Sequence, residues 1–249
     1  MAQRDKLGLI AGGGALPLAV AARCEAEGRA VHVIRLAGFA DAHLTRYPGI
    51  EAGMAEIGRI LSEMKGAGCQ TVCLAGTVNR PDFKTLRPDF KGATLLPGIV
   101  AAATKGDDAL LRKILSIFEA EGFTVEGADD ILGGETLPAG ALGRVKPTDD
   151  QISDLRKALH VAEKSGELDI GQGAVVCDGL VLAALGKAPK PIQDLRVDMP
   201  VMGARTLELA AEAGLAGVGG QTGRLILIDR AAMIETADRL GLFIWGEGQ

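Results

Sequence analysis

Leu7-Gly8-Leu9-Ile10-Ala11-Gly12-Gly13-Gly14-Ala15-Leu16-Pro17 decides the fold. Residues 7–11 form an apolar run of strand length that stops at three consecutive glycines. Ala15–Glu27 then carries helical spacing and closes at Gly28, which predicts a C-cap. Val31–Leu36 reads as a second strand. Strand, glycine turn, helix and strand make a βαβ unit, whose parallel pairing requires a right-handed crossover. The alternation continues with a helix over Ile57–Ala67, a strand over Thr71–Ala75, a helix over Asp107–Glu121 and a strand over Thr124–Glu126. The expected class is therefore α/β, with a Rossmann-like, phosphate-binding N-terminal domain built on a parallel sheet over residues 1–133.

Residues 134–148 are rich in glycine and proline and hold no period, so they read as a linker. Beyond them a second α/β domain is expected over 149–249. Thr148 can N-cap a helix over Asp149–Lys164, Ala174–Leu182 reads as a β-hairpin or a buried strand, and Thr206–Ala213 reads as a helix ending at Gly214. Arg224–Ile228, Arg230–Leu240 and Leu242–Trp245 follow as strand, helix and strand.

Composition narrows the chemistry. In 249 residues, 47% are apolar and only 3% aromatic, so the core must be built from Ala, Val, Ile and Leu. A net charge of −5 without a Lys/Arg run argues against a nucleic-acid partner, which needs a basic surface. Cys24, Cys69, Cys73 and Cys177 form no C-x-x-C, and three histidines do not easily complete a zinc site, so a metal here would be held by oxygen, as Mg2+ is. The thiols are expected as buried apolar residues in a reducing compartment. Arg4 and Lys6 before Leu7–Ala22 imitate a signal peptide, but the glycines and Pro17 interrupt it, and a cytoplasmic location is expected.

Four groups of residues can carry chemistry. Gly12, Gly13 and Gly14 would place bare N–H groups at a helix N-terminus, where an anion is stabilised. The dinucleotide fingerprint is incomplete, because Pro17 takes the third glycine position and Ala37-Gly38 replaces a ribose-binding acid. Gly76, Thr77, Val78 and Arg80 follow a strand and lie where open α/β sheets bind ligands. Lys105, Gly106, Asp107 and Asp108 open a helix, with one aspartate expected as its N-cap and the other as a phosphate or magnesium contact. Lys187, Lys190, Gln193, Asp194, Arg196 and Asp198 form the densest polar cluster, stiffened by prolines. If that stretch is extended, residues 194, 196 and 198 share a face, so two carboxylates would flank one cation. Gln172, before the second-domain strand, is a further ligand contact.

The motifs Ile10–Pro17, Ala75–Pro81, Lys105–Arg112, Gly171-Gln172 and Lys190–Pro200, with Gly214–Gly217 and Leu225–Arg230, occur in an order that resembles the LpxI-type UDP-2,3-diacylglucosamine pyrophosphatases. The resemblance implies a magnesium-dependent hydrolase of lipid A biosynthesis in Gram-negative bacteria, acting on a nucleotide-diphospho-lipid held between two domains. Water attack on the diphosphate would give UMP and 2,3-diacylglucosamine 1-phosphate, lipid X. It also implies a homodimer, with peripheral contact at the inner membrane. Asp194 and Asp198 would hold Mg2+ and position water, Lys187, Lys190 and Arg196 would neutralise phosphate charge, and the glycine turn, residues 76–80 and residues 105–108 would hold the UDP portion. The chain departs from the family after Leu182. There the family has an acidic Glu-Gly-Thr-Asp stretch and a helix, whereas here Leu182 reaches Lys187 across only Ala183, Ala184, Leu185 and Gly186. Either that segment is deleted or the sequence omits a flap. The alternatives are an NAD(P)-dependent Rossmann oxidoreductase and a non-catalytic nucleotide–lipid binding protein.

Overall fold

The computed structural model describes residues 5–133, 135–168, 171–176, 184–188 and 194–248. The chain divides into two compact units, Met1–Leu132 and Gly133–Gln249.

The first unit contains β1 (Leu7–Ala11), α1 (Leu16–Ala26), β2 (Val31–Leu36), β3 (Gly49–Ala52), α2 (Ile57–Gly66), β4 (Thr71–Ala75), α3 (Phe90–Ala103), α4 (Asp107–Ala120), β5 (Thr124–Val125) and α5 (Ala128–Leu132). The five strands run parallel in the order β3-β2-β1-β4-β5. β1 is central and every residue in it is buried, which is why its run is continuously apolar rather than alternating. From β1 the chain moves outward through β2 and β3, then returns to β4 on the other side. That reversal makes the carboxyl ends of β1 and β4 the place where such sheets usually bind ligands. α1 packs with α5, while α3 packs on α4 and α2. Three of these elements are additional to those expected from the sequence, β3, α3 and α5.

The second unit contains β6 (Gly140–Leu142), α6 (Asp149–Glu167), β7 (Gly173–Val176), β8 (Ala184–Lys187), the single turn α7 (Leu195–Asp198), β9 (Val201–Met202), α8 (Ala204–Glu212), β10 (Gly217–Gln221), β11 (Ile226–Leu227), α9 (Arg230–Leu240) and β12 (Phe243–Glu247). Its sheet has the order β6-β12-β10-β8-β7; β8, β10 and β12 are parallel, with antiparallel edges. Leu207, Val218, Met233 and Ile244 are fully buried in one core, while Leu155, Leu159 and Phe243 form another beneath α6. Thr148 caps α6 by accepting from the Gln151 N–H, as expected.

Three local expectations change. The stretch read as a linker supplies β6, and its Leu137 is fully buried and donates its N–H to Leu225 O at 2.8 Å. The hairpin pairs 173–176 with 184–187, so its second strand starts later than Leu182. The expected strand Arg224–Ile228 shrinks to β11, which pairs with β9, and the main sheet instead takes the glycine-rich β10. A Cβ at Gly217 would sit 2.4 Å from the Phe243 ring and one at Gly219 2.5 Å from Leu155, so the glycines let large side chains lie on the strand. Cys24, Cys69 and Cys73 are buried thiols that form no disulfide among the described residues; Cys177 lies outside them. Among the described residues no helix is long and apolar enough to cross a membrane.

Candidate functional site

At the switch point of the first sheet, the glycine turn is zipped to the loop after β4. The Gly12 N–H donates to Ala75 O at 2.8 Å, Gly13 N–H to Thr77 O at 2.8 Å, and Thr77 N–H to Gly13 O at 2.9 Å. The expectation of three bare donors is thereby corrected, because two of them are spent holding β1 and β4 together past their ends. The glycines serve close approach: a Cβ on Gly12 would stand 2.8 Å from Thr77 O, and one on Gly76 2.6 Å from Gly13 O. Gly14, at φ +85°, meets nothing within 4 Å and faces open space. α1 begins two residues later, behind an Ala15 N-cap that offers no side-chain acceptor, with Pro17 in its first turn. An open helix N-terminus at a topological switch point attracts an anion through its unpaired donors and dipole.

Residues 76–80 are exposed and run directly to Arg80. Its Nη2 donates to Ala103 O at 2.5 Å, at the end of α3, and its Nη1 lies 3.6 Å from Asp107 Oδ1 at the start of α4. Three residues separate Arg80 from Thr77, a reach of about 10 Å at most, so one loop joins the glycine turn to the N-terminus of α4. There the N-cap is Gly106, at φ +126°, with no side-chain cap. Neither aspartate caps α4. Both lie in its first turn, where negative charge is favoured by the helix dipole. Asp108 is buried and pairs with Arg112 one turn along, which accounts for its carboxylate, while Asp107 and Lys105 are exposed.

In the second unit the carboxyl ends of β8 and β10 and the amino end of β7 share one sheet edge. This edge brings Gln172 and Lys187 together: Gly173 pairs with Lys187, and the Ala188 N–H donates to Gln172 O at 3.0 Å. Lys187 is half-buried, and its Nζ donates to Val201 O at 3.0 Å, tying the end of β8 to the start of β9 across residues 188–200. Burial lowers its pKa. Sequence reasoning missed Gln221 and Thr222, at the end of β10 beside Lys187; their signal was the glycine density of 217–223 behind a strand. Gln172 Oε1 and Thr222 Oγ1 are both buried without a hydrogen-bond partner among the described residues, which in a native protein calls for a ligand or water.

The extended conformation expected over residues 194–198 does not form. Residues 195–198 make a helical turn, because Asp194 caps it by accepting from the Arg196 N–H at 3.1 Å. The same carboxylate receives Arg196 Nε at 3.0 Å and Nη2 at 2.7 Å, a local bidentate pair that competes with an extended chain. The acids of this segment that could hold a divalent cation are Asp194, engaged by Arg196, and Asp198. Magnesium keeps several waters and needs only one or two carboxylates beside substrate phosphates, so the donor set fits in kind. Among the described residues no group of three or more His, Cys, Asp or Glu is gathered for a metal. Lys190 and Gln193 lie outside the described residues.

A separate hollow of about 450 Å³ on the first unit is lined by Leu61, Ser62, Lys65, Phe90, Lys91 and Glu121 among others, and shares no residue with the switch point.

Comparison with known proteins covers nearly the whole chain. Residues 6–134 match the family described as the LpxI N-terminal domain, and residues 138–186 and 183–245 match the LpxI C-terminal domain. The UDP-2,3-diacylglucosamine pyrophosphatase LpxI of Caulobacter vibrioides is 51% identical over 271 residues, covering 97% of each chain. That aligned span is longer than this chain, so it includes positions the chain lacks, and the C-terminal match breaks at 183–186, where the acidic stretch was expected.

Proposed function

This chain belongs to the LpxI family, and from that premise we propose that it hydrolyses the diphosphate of UDP-2,3-diacylglucosamine. Water adds to one phosphorus, the bond to the bridging oxygen breaks, and UMP and 2,3-diacylglucosamine 1-phosphate leave as two monoesters. The observation that carries this reading is the 51% identity to a UDP-2,3-diacylglucosamine pyrophosphatase across 97% of both chains. The switch-point geometry supports it, since an open helix N-terminus beside the Gly76–Arg80 loop suits a nucleotide phosphate. No observation favours a dinucleotide oxidoreductase or a carrier without turnover.

The proposed roles divide by chemistry. Gly14 and the start of α1, with Thr77, Val78 and Arg80, hold the nucleotide half; Lys105 and Asp107 flank it. Lys190 and Arg196 offset charge that builds on phosphate oxygens, a task worth several kcal/mol at a preorganised site. Lys187 fixes both ends of the loop that carries them through its bond to Val201 O. Asp198, with Asp194 once Arg196 turns to phosphate, would hold magnesium. When bound there, the ion supplies positive charge against the diphosphate oxygens. Gln172 and Gln193 contact substrate. The lipid product and substrate support work at the cytoplasmic face of the inner membrane in a Gram-negative cell, and family resemblance supports a homodimer.

The test is magnesium-dependent UMP release from UDP-2,3-diacylglucosamine. Asp198→Ala is expected to cut kcat at least about 100-fold with an unchanged circular dichroism spectrum. Near-normal release by that folded variant would remove Asp198 from the mechanism, and no release by the unaltered chain with magnesium would overturn the assignment.

A further inference from the structure

α3 is an apolar helix with an outward face that carries no charge. Gly92, Ile99 and Ala103 point inward and are buried, while Phe90, Ala93, Thr94, Pro97, Gly98 and Ala101 are exposed. At 100° per residue these six fall within one arc of about 140°. Phe90 is 89% exposed, the most open large apolar side chain of the described residues. The polar exception satisfies its hydroxyl within the helix: Thr94 Oγ1 donates to Lys91 O at 2.7 Å. A solvent-facing helix normally puts charge on its outer arc, so a bare apolar one marks an interaction surface.

The charges around this face identify the occupant. Residues 84–113 carry six basic side chains, Lys84, Arg87, Lys91, Lys105, Arg112 and Lys113, against three acidic ones, in a chain whose net charge is −5. Lys84, Arg87 and Lys105 are exposed, and the Lys113 side chain lies alongside Gly98, with Cε 3.4 Å from where a Cβ would stand. Beside Phe90 opens the hollow of about 450 Å³, lined by Lys65 and Lys91, which meet on Glu121, and by Asp89. An apolar arc bordered by basic residues in an otherwise acidic protein matches a bilayer with anionic headgroups: rings and methyl groups enter at the acyl boundary and ammonium groups meet phosphate.

We infer that the outward face of α3, led by Phe90, with Lys113 alongside it and the exposed Lys84 and Arg87 in the loop that leads into it, docks this protein on an anionic phospholipid surface. The inference names the surface for the membrane contact proposed above. The experiment is co-sedimentation of the full chain with phosphatidylcholine vesicles, with and without phosphatidylglycerol, at low and high salt. The unaltered chain is expected to sediment with the anionic vesicles and to release on adding salt. Phe90→Asp, and separately Lys84→Glu with Arg87→Glu, are expected to weaken partitioning roughly tenfold and leave UMP release from detergent-dispersed substrate unchanged. If the unaltered chain ignores anionic vesicles, the membrane contact itself falls. If it binds and the variants bind equally well, the contact stands and this surface is wrong. If Phe90→Asp instead lowers the mass measured by light scattering, the face covers a second copy and the inference is overturned.

Discussion

Gly76 holds a backbone angle of φ +96° while its α-carbon lies against the turn of β1, so two independent costs meet in one side chain. Gly76→Ala would pay for a left-handed conformation and also drive a methyl to 2.6 Å from Gly13 O, which is backbone and cannot swing aside. We expect it to destabilise by about 2–4 kcal/mol and to impair UMP release even where folded, because the Gly13–Thr77 bridge would part. Gly14→Ala has a similar angle, φ +85°, but open space around the new methyl, and retains its N–H. Its expected cost is only about 1–2 kcal/mol, with turnover largely kept. Urea midpoints and UMP release for the two variants check this, and equal losses would show that strain, not close approach, matters. The need for glycine at these positions was legible in the sequence, since bare residues at a strand's end announce a sharp turn. That Gly12 and Gly13 spend their donors on β4 was not, because the partner lies over 60 residues away. Nor was the pairing of Asp194 with Arg196, since the extended and capped forms of that loop have the same composition and differ only in local hydrogen bonding.

Element by element, the sequence announced itself where hydrophobic period and punctuation agree. β1, α1, β2, α2, β4 and α4 all emerge within a residue or two of their expected limits, because each combines an apolar pattern with a turn signal. α3 was hidden by the breakers Gly92, Pro97 and Gly98 and by an outer arc without charges, which erases the amphipathic contrast that marks a helix. β10 was hidden because three of its five residues are glycine, retained for the packing of Phe243 and Leu155. Nothing in α3's own sequence reveals what secures it either. Glu121, the C-cap of α4, receives Lys65 from the end of α2 at 2.5 Å and Lys91 from the start of α3, so one carboxylate joins three helices. Hydrogen bonds from Lys65, then from Lys91, hold its pKa down to about 2, against an ordinary 4.5. A carboxyl depressed in the folded state stabilises above its unfolded pKa and loses that contribution as the pH falls through the folded one. Glu121→Gln is therefore expected to cost about 1 kcal/mol at pH 7, with the gap to the unaltered chain closing as pH falls from about 4.5 towards 2. Urea titrations at successive pH values read it directly; a gap independent of pH would mean that the ion pairs contribute nothing to folding.

At the scale of the whole molecule, the family matches run from residue 6 to residue 245, and within the second unit the match breaks at 183–186. The break falls at β8, whose residues 184–187 form a strand between β7 and β10. The sheet is thus complete without the missing stretch, and the fold does not depend on it. Function is another matter, because the resemblance implies an acidic stretch there, upstream of Lys187, the residue that anchors the polar loop. Two carboxylates, Asp194 and Asp198, suffice in number for magnesium, but Asp194 is already paired with Arg196, so the chain has little acidic reserve there. Inserting the Caulobacter vibrioides segment between Leu182 and Ala184 is therefore expected to leave urea stability nearly unchanged. It should raise kcat/KM for UMP release by about tenfold or more, and lower the magnesium concentration needed for half-maximal rate, as added carboxylates do for a hard cation. An unchanged magnesium dependence would show instead that Asp194 and Asp198 hold the ion unaided. The acidic stretch would then serve only to cover the substrate, and its effect would appear in KM alone.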